Sequence, residues 1–323
     1  MSLPVPVVVA LVALASLAGC AALIHTRADR REAEWMAEYP PVGVFVTVEG
    51  RRIHLIEAGD RNAPAVVLIH GANGNLRDFT FDLVDRLDDE YHVIALDRPG
   101  LGWSDSWGEA DSDPAEQARV LRAAVAQRGV RRAVVVGHSY GGSVAMAWAL
   151  QDADTQALVL IAGATYPWET DELGLWYTLS ETPFGPPARA MVAAFATDGA
   201  VDAAITRVFA PDPVPAGYGR YFGAGLSIRR DSQANNNRQV NALLDHVTRM
   251  SPQYPRLTLP IEILHGDADT IVGIDIHSRR MVAEVASARL TVIQRAGHML
   301  HHSHPQAVVD AIARARQRAL RAG

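Results

Sequence analysis

The stretch VVVGHSYGGS, residues 134–143, places a serine between two glycines in the pattern Gly-x-Ser-x-Gly. It follows a run of valines and leads into GGSVAMAWALQ, so we expect a buried strand, a sharp turn and then a helix. Such a turn lifts the side chain of Ser139 clear of the sheet edge, while Gly137 and Gly141 leave room where a Cβ atom would collide with neighbouring backbone. The pattern predicts that Ser139 is a nucleophile. The alternative is a glycine-rich turn with an incidental serine.

A serine hydroxyl is a weak nucleophile unless a base takes its proton and a carboxylate orients that base. In enzymes that use this kind of turn, the acid and then the histidine follow the serine along the chain. Downstream, ILHGDADTIV offers Asp267 and Asp269, and QRAGHMLHHSHP offers His298, with further histidines at 301, 302 and 304. The residue types and their order therefore fit a Ser-His-Asp triad, with either aspartate as the acid.

The rest of the chain must supply elements that bring these segments together. Segments 44–50 and 52–59 alternate partly between apolar and polar residues and predict an antiparallel pair of strands. Continuous apolar runs predict strands buried in a parallel sheet, at 65–71, 91–97, 132–138, 157–163, 261–267 and 289–294. Helical patterns lie between or after them, at 76–87, 113–129, 141–151, 277–287 and 305–320. This alternation predicts an α/β fold with a mostly parallel, doubly wound sheet.

Between about residues 166 and 256 the alternation stops. Helical patches such as ARAMVAAFATDG and RQVNALLDHVTRM occur there without buried strands between them. The segment has too many Trp, Tyr, Phe and Leu residues to remain solvated as a linker. We therefore expect a helical insertion above the sheet.

Composition limits the classes of function. The chain has 323 residues, of which 49% are hydrophobic and 20% charged, as in globular proteins. A formal net charge of -6 argues against a nucleic-acid partner, which would need a basic surface. The sequence contains no lysine, so Schiff-base and phosphate-loop lysines are excluded. A single cysteine, Cys20, excludes an internal disulfide and a cysteine-based metal site.

The pattern of the first 24 residues predicts a signal peptide or a membrane anchor. Residues 5–24 carry no charge and are long enough to cross a bilayer. LAGC, ending at Cys20, resembles the lipobox of bacterial lipoproteins, which implies an acylated Cys20 and a protein facing the periplasm. Arginines follow the apolar run instead of preceding it, which favours a single-pass anchor with a cytoplasmic domain. Both interpretations attach the protein to a membrane, with 25–41 as a tether.

From about residue 42 to its end, the chain resembles the α/β-hydrolase superfamily, in the branch with a helical cap between the sixth and seventh strands. Besides the serine turn, HGANGN is similar to the H-G-x-x loop of that family, and DRPGLGWSD to its D-R-P-G-x-G-x-S loop. HGDADTIV is similar to its H-G-x-x-D-x-x-V pattern, which implies that Asp269, and not Asp267, is the acid. In the same way AGH implies that His298 is the base. The implied core is 42–165 and 257–323, and the implied cap is 166–256.

Attack on a carbonyl places negative charge on its oxygen, which prearranged backbone N–H groups stabilise. The amide of Tyr140, next to the nucleophile, is one expected donor. The resemblance implies that the second donor is Ala72, the residue after HG, with Asn73 as the neighbouring candidate.

These residues predict a serine hydrolase that cleaves a carboxylic ester or related acyl bond of a small to medium hydrophobic molecule through an acyl-enzyme. No cofactor and no metal is expected. Dehalogenase-like and epoxide-hydrolase-like members are disfavoured because they carry Asp at the position of Ser139. A C–C bond hydrolase, a cofactor-free haloperoxidase, an acyltransferase and a binding module without turnover remain alternatives. The oligomeric state is left open.

Other residues in the same motifs as the candidate catalytic residues are expected to have structural roles. We expect His70 to brace the oxyanion loop, Arg98 to tie loops together, and His138 to pack and form hydrogen bonds. The histidines after His298 have no matched carboxylate in the sequence and are expected to form a solvated turn. Aromatic residues could line an acyl pocket or form the core of the cap: Trp103, Trp168, Trp176, Tyr177 and Phe222.

Overall fold

A computed structural model describes residues 4–169 and 173–322. Its centre is a sheet of strands β1 Val44–Val48, β2 Arg51–Ala58, β3 Ala65–Ile69, β4 His92–Leu96, β5 Ala133–His138, β6 Ala157–Ile161, β7 Ile261–Gly266 and β8 Ala288–Ile293. Their order is β1-β2-β4-β3-β5-β6-β7-β8. β1 pairs antiparallel with β2 and β2 with β4, and all other pairs are parallel. The antiparallel pair and the mostly parallel sheet are confirmed.

The helices cover both faces and the carboxyl edge of the sheet. They are α1 Val5–Glu38, α2 Arg77–Thr80, α3 Leu83–Leu87, α4 Pro114–Gln127, α5 Tyr140–Gln151, α6 Gly174–Ser180, α7 Gly185–Phe195, α8 Asp198–Phe209, α9 Tyr218–Phe222, α10 Ala224–Ser227, α11 Arg230–Met250, α12 Arg280–Glu284, α13 Leu300–Ser303 and α14 Pro305–Ala322. Short 3-10 helices span Gly108–Ser112 and Ser251–Arg256, and a π-helical turn spans Asp275–Arg279.

Burial follows from the sequence pattern. Every residue of β3, β4, β5, β6 and β7 is buried, as continuous apolar runs predict for strands covered on both faces. α4 and α5 contribute side chains to the core on one face, and α3 and α14 to the core on the other. The resulting rigid sheet fixes the positions of the loops that follow its parallel strands.

The segment expected to form one helix at 76–87 forms two, α2 and α3. The break lies at Phe81 and Asp82. Phe81 packs edge to face against Tyr218 and Tyr221, with ring centroids 5.4 Å apart in both pairs. Leu83, by contrast, is buried in the core. The chain on one side of the break thus packs against aromatic residues of the cap, and the chain on the other side packs in the core of the sheet. The break between α2 and α3 lets the segment make both contacts.

Helices α6 to α11 lie between β6 and β7 and form the predicted helical cap. Two polar side chains of α11 connect it to loops at the carboxyl edge of the sheet. Asn236 Oδ1 accepts a hydrogen bond from the backbone N–H of Asn73 at 2.6 Å. Gln239 Oε1 accepts one from the Arg98 guanidinium at 2.9 Å. The cap is thus fastened directly above the sheet edge.

Residues expected to form a tether, 25–41, are helical as far as Glu38, because α1 continues through Cys20 without a break. An 18-residue window of α1 has a mean hydropathy of 2.7, and none of it is buried. Further along the helix, Ala28 is buried against cap residues, and Arg230 of α11 pairs with Asp29 and Glu32. Helix-forming Ala, Arg and Glu residues and this charge complementarity explain why the segment folds onto the cap.

Candidate active site

Ser139 lies between β5 and α5 in a backbone conformation that side chains rarely adopt, with φ of 55° and ψ of -120°. The two flanking glycines make this turn possible. A Cβ atom at Gly137 would lie 2.2 Å from the carbonyl oxygen of Gly141, and one at Gly141 would lie 2.2 Å from that of Ile69. The strained serine, held by close backbone contacts, has the geometry of a nucleophile elbow.

Asp269 and His298 come together at the same edge, from the loops after β7 and β8. His298 Nδ1 lies 2.7 Å from Asp269 Oδ2. Because an ionised carboxylate only accepts hydrogen bonds, Nδ1 carries a proton, and in the neutral imidazole the lone pair is then on Nε2. The other carboxylate oxygen accepts from the backbone amides of Ile271 and Val272, at 2.7 and 3.0 Å. The histidine is therefore held in the tautomer that can act as a base.

Burial alone would raise the pKa of Asp269, but hydrogen bonds from His265 and His298 hold it well below its usual range. His265 Nε2 lies 3.3 Å from Asp269 Oδ2, and its Nδ1 lies 2.6 Å from the hydroxyl of Ser278. The sequence interpretation did not assign a role to His265. The sequence did contain a signal for it: His265 is the first residue of the HGDADTIV motif, four residues before Asp269.

His138 connects the serine turn to the histidine loop. Its Nε2 donates to the carbonyl oxygen of His298 at 3.3 Å, and the two rings lie 4.7 Å apart between centroids. The residue before Ser139 thus packs on His298, in agreement with the expected packing role. In the described part of the chain, no hydrogen bond joins the Ser139 hydroxyl to the His298 ring.

Two backbone amides in or near the serine turn have no protein partner in the described residues. Within residues 4–169 and 173–322, the N–H groups of Ala72 and Tyr140 donate no hydrogen bond. The N–H of Asn73 already donates to Asn236, as described above. Next to these amides, a Cβ atom on Gly71 would lie 3.0 Å from Cβ of Ser139. The loop after β3 therefore lies directly against the elbow.

His70 and Arg98 hold this loop in place, as expected. His70 Nδ1 donates to the carbonyl oxygen of Gly71 at 2.9 Å, and its Nε2 accepts from the Arg98 amide at 3.0 Å. The Arg98 guanidinium donates to the same carbonyl at 3.0 Å and lies 4.1 Å over the Tyr140 ring. Burial lowers the pKa of His70 to about 4, so its imidazole is neutral and fits this one-donor, one-acceptor arrangement.

A family model described as "Alpha/beta hydrolase family" matches residues 66–311. The chain belongs to this family. The protein Rv2715 of Mycobacterium tuberculosis is 27% identical over 285 residues, which cover 85% of this chain and 81% of that protein. The 2-hydroxy-6-oxononadienedioate/2-hydroxy-6-oxononatrienedioate hydrolase of Klebsiella pneumoniae is 27% identical over 278 residues, which cover 82% of this chain and 92% of the relative.

Among solved structures, one described as a membrane phospholipase A, a bacterial virulence factor, is similar with a TM-score of 0.64 and 24% identity. The match covers 95% of this chain and 99% of that chain. A likeness at this identity shows the fold of the hydrolase and leaves its substrate open.

His301 and His302 of this hydrolase are not part of a solvated turn, and the expectation was wrong for these two residues. Asp78 of α2 lies buried beside them and accepts from His301 Nε2 at 3.0 Å and from His302 Nε2 at 2.9 Å. The Tyr218 hydroxyl donates to the same carboxylate at 2.7 Å. The sequence interpretation missed Asp78 because it is 223 residues from His301.

Side chains of Asp78, His138 and His301 offer ligand atoms within 4.8 Å of one another, a grouping that could hold a metal ion. The carboxylate already accepts three hydrogen bonds, whereas Nδ1 of His138, His301 and His302 is buried with no hydrogen-bond partner among the described residues. Burial alone would raise the pKa of Asp78, but these donors hold it well below its usual range. Burial lowers the pKa of His301 to about 4, so the pair consists of a carboxylate and a neutral imidazole.

Contacts are identifiable for Asp267 and for three of the expected aromatic residues. Asp267 is exposed and accepts a hydrogen bond from the amide of Arg295, which fits a loop carboxylate. Of the aromatic residues, Tyr177 reaches the site most directly, because its hydroxyl accepts from Asn73 Nδ2 at 3.3 Å. Phe222 stacks on Tyr218, with ring centroids 5.5 Å apart, and Trp103 donates to the backbone of Tyr39.

Buried neutral imidazoles predict that acid destabilises the fold. Burial lowers the pKa of His70, His277 and His301 to about 4, whereas an unfolded histidine titrates near 6.5. Between these values the unfolded chain binds more protons, so stability is complete above about pH 6.5 and is lost as the pH falls. Each such group contributes a slope of about 1.4 kcal/mol per pH unit.

We expect His277→Gln to flatten this slope by about 1 kcal/mol per pH unit, measured by urea unfolding between about pH 6.5 and about pH 5. His25→Gln, at an exposed position on α1, is the control and should leave the slope unchanged. An unchanged slope in His277→Gln would contradict the assignment of a neutral buried imidazole.

Proposed function

We propose that the protein is a serine hydrolase that cleaves carboxylic esters of small to medium hydrophobic acyl groups through an acyl-enzyme. Ser139 attacks the carbonyl carbon, and His298 Nε2 takes the hydroxyl proton and then delivers it to the leaving group. Asp269 holds the imidazole in the required tautomer and stabilises it when it is protonated. Water activated by the same nitrogen then releases the acid. The observation that carries this proposal is the strained Ser139 beside the ordered Asp269–His298 pair.

The oxyanion is assigned to the amides of Tyr140 and Ala72. Both are without a protein partner in the described residues, and both belong to loops that meet at the elbow. Asn73 is the weaker candidate because its amide is already bonded to Asn236. The missing Ser139–His298 hydrogen bond does not argue against the mechanism, since such bonds commonly tighten only when substrate is bound.

A second candidate is hydrolysis of a C–C bond next to a ketone. The Klebsiella relative supports it, because its name gives 2-hydroxy-6-oxo diacids, which contain a ketone, as substrates, and the match covers most of its length. The same triad and oxyanion amides could serve either reaction, so the site geometry alone does not separate them.

A substrate panel with the purified full-length chain tests these proposals. We expect turnover of p-nitrophenyl esters with kcat/KM that rises from acetyl to a medium acyl chain, and little turnover of 2-hydroxy-6-oxononatrienedioate. Preferred cleavage of the latter would favour the second candidate. Transfer of the acyl group to an added alcohol would indicate an acyltransferase, and halogenation with peroxide and bromide a haloperoxidase. Tight binding of an ester without turnover would contradict an enzyme of any of these classes.

We also propose that α1 attaches the hydrolase to a membrane, either as a span or through an acylated Cys20. The apolar, unburied first part of the helix supports this proposal. In both cases the residues that follow Ile24 lie just outside the bilayer, because the apolar segment ends there.

A further inference from the structure

Helix α7 of the cap carries large apolar side chains on its solvent side. Phe184, directly before the helix, is 69% exposed, and Met191 and Phe195 are each 47% exposed. Spacings of seven and four residues place these three side chains on one face of a helix. Ala193, on the opposite side of the helix, is buried, as is Ala194 at the flank of this face. Leu175 of the neighbouring α6 is also exposed, at 81%.

We call Phe184, Met191, Phe195 and Leu175 the cap stripe. Single exposed apolar residues are common, but several of them along one helix face indicate an interaction surface. No polar side chain separates Met191 from Phe195 on that face, because the intervening residues are Val and Ala.

The position of α7 relative to α1 indicates what this surface contacts. Arg27 Nε donates to the carbonyl oxygen of Ala194 at 2.7 Å, and Ile24 packs against the same part of α7. Other cap residues meet α1 further from its apolar part: Arg230 of α11 contacts His25, Asp29 and Glu32, and Gly225 lies against Trp35. Of these contacts, those of α7 lie closest to the exposed apolar part of α1, which ends at Ile24.

The residues just after the apolar part of α1 include arginines and a neighbouring aromatic ring, a combination that suits a lipid–water interface. The Arg27 guanidinium lies 5.1 Å over the ring of Phe195, so a cation and an aromatic ring of the cap stripe sit side by side. Arg30 and Arg31 follow within one turn. Arginines beside aromatic rings are typical of the headgroup region, where phosphates pair with the cations and the rings enter the acyl boundary.

We propose that the cap stripe inserts into the surface of the bilayer that holds α1, giving the cap a membrane contact of its own. This inference rests on the proposed attachment in its first form, α1 as a membrane span, and extends the proposed function. α6 contributes Leu175 to the stripe and Tyr177 to the loop at Asn73, so one short helix links the lipid surface to the oxyanion loop. The hydrolase is then placed to receive esters that partition into lipid.

Site-specific fluorescence tests the contact without relying on catalysis. In a Cys20→Ser background, which leaves no native cysteine, Met191→Cys is labelled with an environment-sensitive dye, and the full-length chain is reconstituted into phosphatidylcholine–phosphatidylglycerol vesicles. Val12→Cys reports on the apolar part of α1. Leu320→Cys, an exposed apolar position at the other end of the chain, is the matched control. Lipids that carry a spin label near the headgroup quench any dye that enters the bilayer surface.

We expect the dye at Met191 to shift its emission to the blue and to lose most of its intensity to the spin-labelled lipid, while the dye at Leu320 does neither. Quenching at Val12 combined with an unquenched Met191 would overturn the cap contact and leave the anchor intact. If neither is quenched, α1 does not span the bilayer, and the cap contact that rests on this span is wrong. Turnover of a water-soluble ester, measured on the same samples, reports separately on the proposed chemistry.

Discussion

Ser139→Ala should lower kcat/KM for p-nitrophenyl ester hydrolysis by about 10⁴- to 10⁶-fold, because the substitution removes the atom that forms the acyl-enzyme. A residual rate above that in water is expected, since the amides of Ala72 and Tyr140 can still stabilise the oxyanion. The measurement is a comparison of initial rates for the variant and the parent chain at saturating and at low ester concentrations.

Folding should not explain this loss. Ser139 only loses a hydroxyl, and the glycines that permit the turn are unchanged. Equal urea midpoints and near-ultraviolet spectra for the two proteins are the control. As a matched control variant, Ser303→Ala removes a hydroxyl from the histidine loop and should keep parental activity, because Ser303 is bonded only to its own loop. A Ser139→Ala protein with more than about a tenth of parental kcat/KM would exclude a serine nucleophile.

Asp269→Asn should reduce kcat by about 10⁴-fold with a small effect on KM. The amide side chain keeps the shape of the carboxylate, but its NH₂ group can face Nδ1 of His298. That arrangement favours the tautomer protonated on Nε2, which cannot take the proton of Ser139. Steady-state kinetics over a range of ester concentrations separates the two parameters.

Asp267→Asn is the matched control, because Asp267 is two residues away in the same loop and lies at the surface. We expect its kcat to equal that of the parent chain. Similar losses of kcat in the two variants would show that a disturbed loop conformation, and not loss of the Asp269–His298 hydrogen bond, causes the effect. A full loss in Asp267→Asn alone would reverse the assignment of the acid.

Local patterns in the sequence were enough to predict the sheet and to indicate the residues that we propose as reactive. Short continuous apolar runs indicate buried strands, because a strand covered on both faces has no side that needs polar residues. The loops after such parallel strands meet at one edge, so Ser139, Asp269 and His298 were expected to be neighbours. Choosing between Asp267 and Asp269 required a longer motif, since both are aspartates on one loop.

The features that were missed depend on packing between distant segments. Nothing near Asp78 in the sequence indicates that its carboxylate faces His301 and His302, because α2 and α13 meet only in the folded chain. The docking of residues 25–38 onto the cap was missed for a related reason. Its charged residues look solvated locally, and their partner, Arg230, lies about two hundred residues later.

Covalent labelling with a fluorophosphonate, followed by mass spectrometry of the digested protein, tests the central claim most directly. A single adduct on the peptide that contains Ser139 is predicted, absent from Ser139→Ala and much slower to form in His298→Ala, because attack on phosphorus needs the same activated hydroxyl. Continued ester turnover with no adduct, or with an adduct on a different residue, would contradict the account.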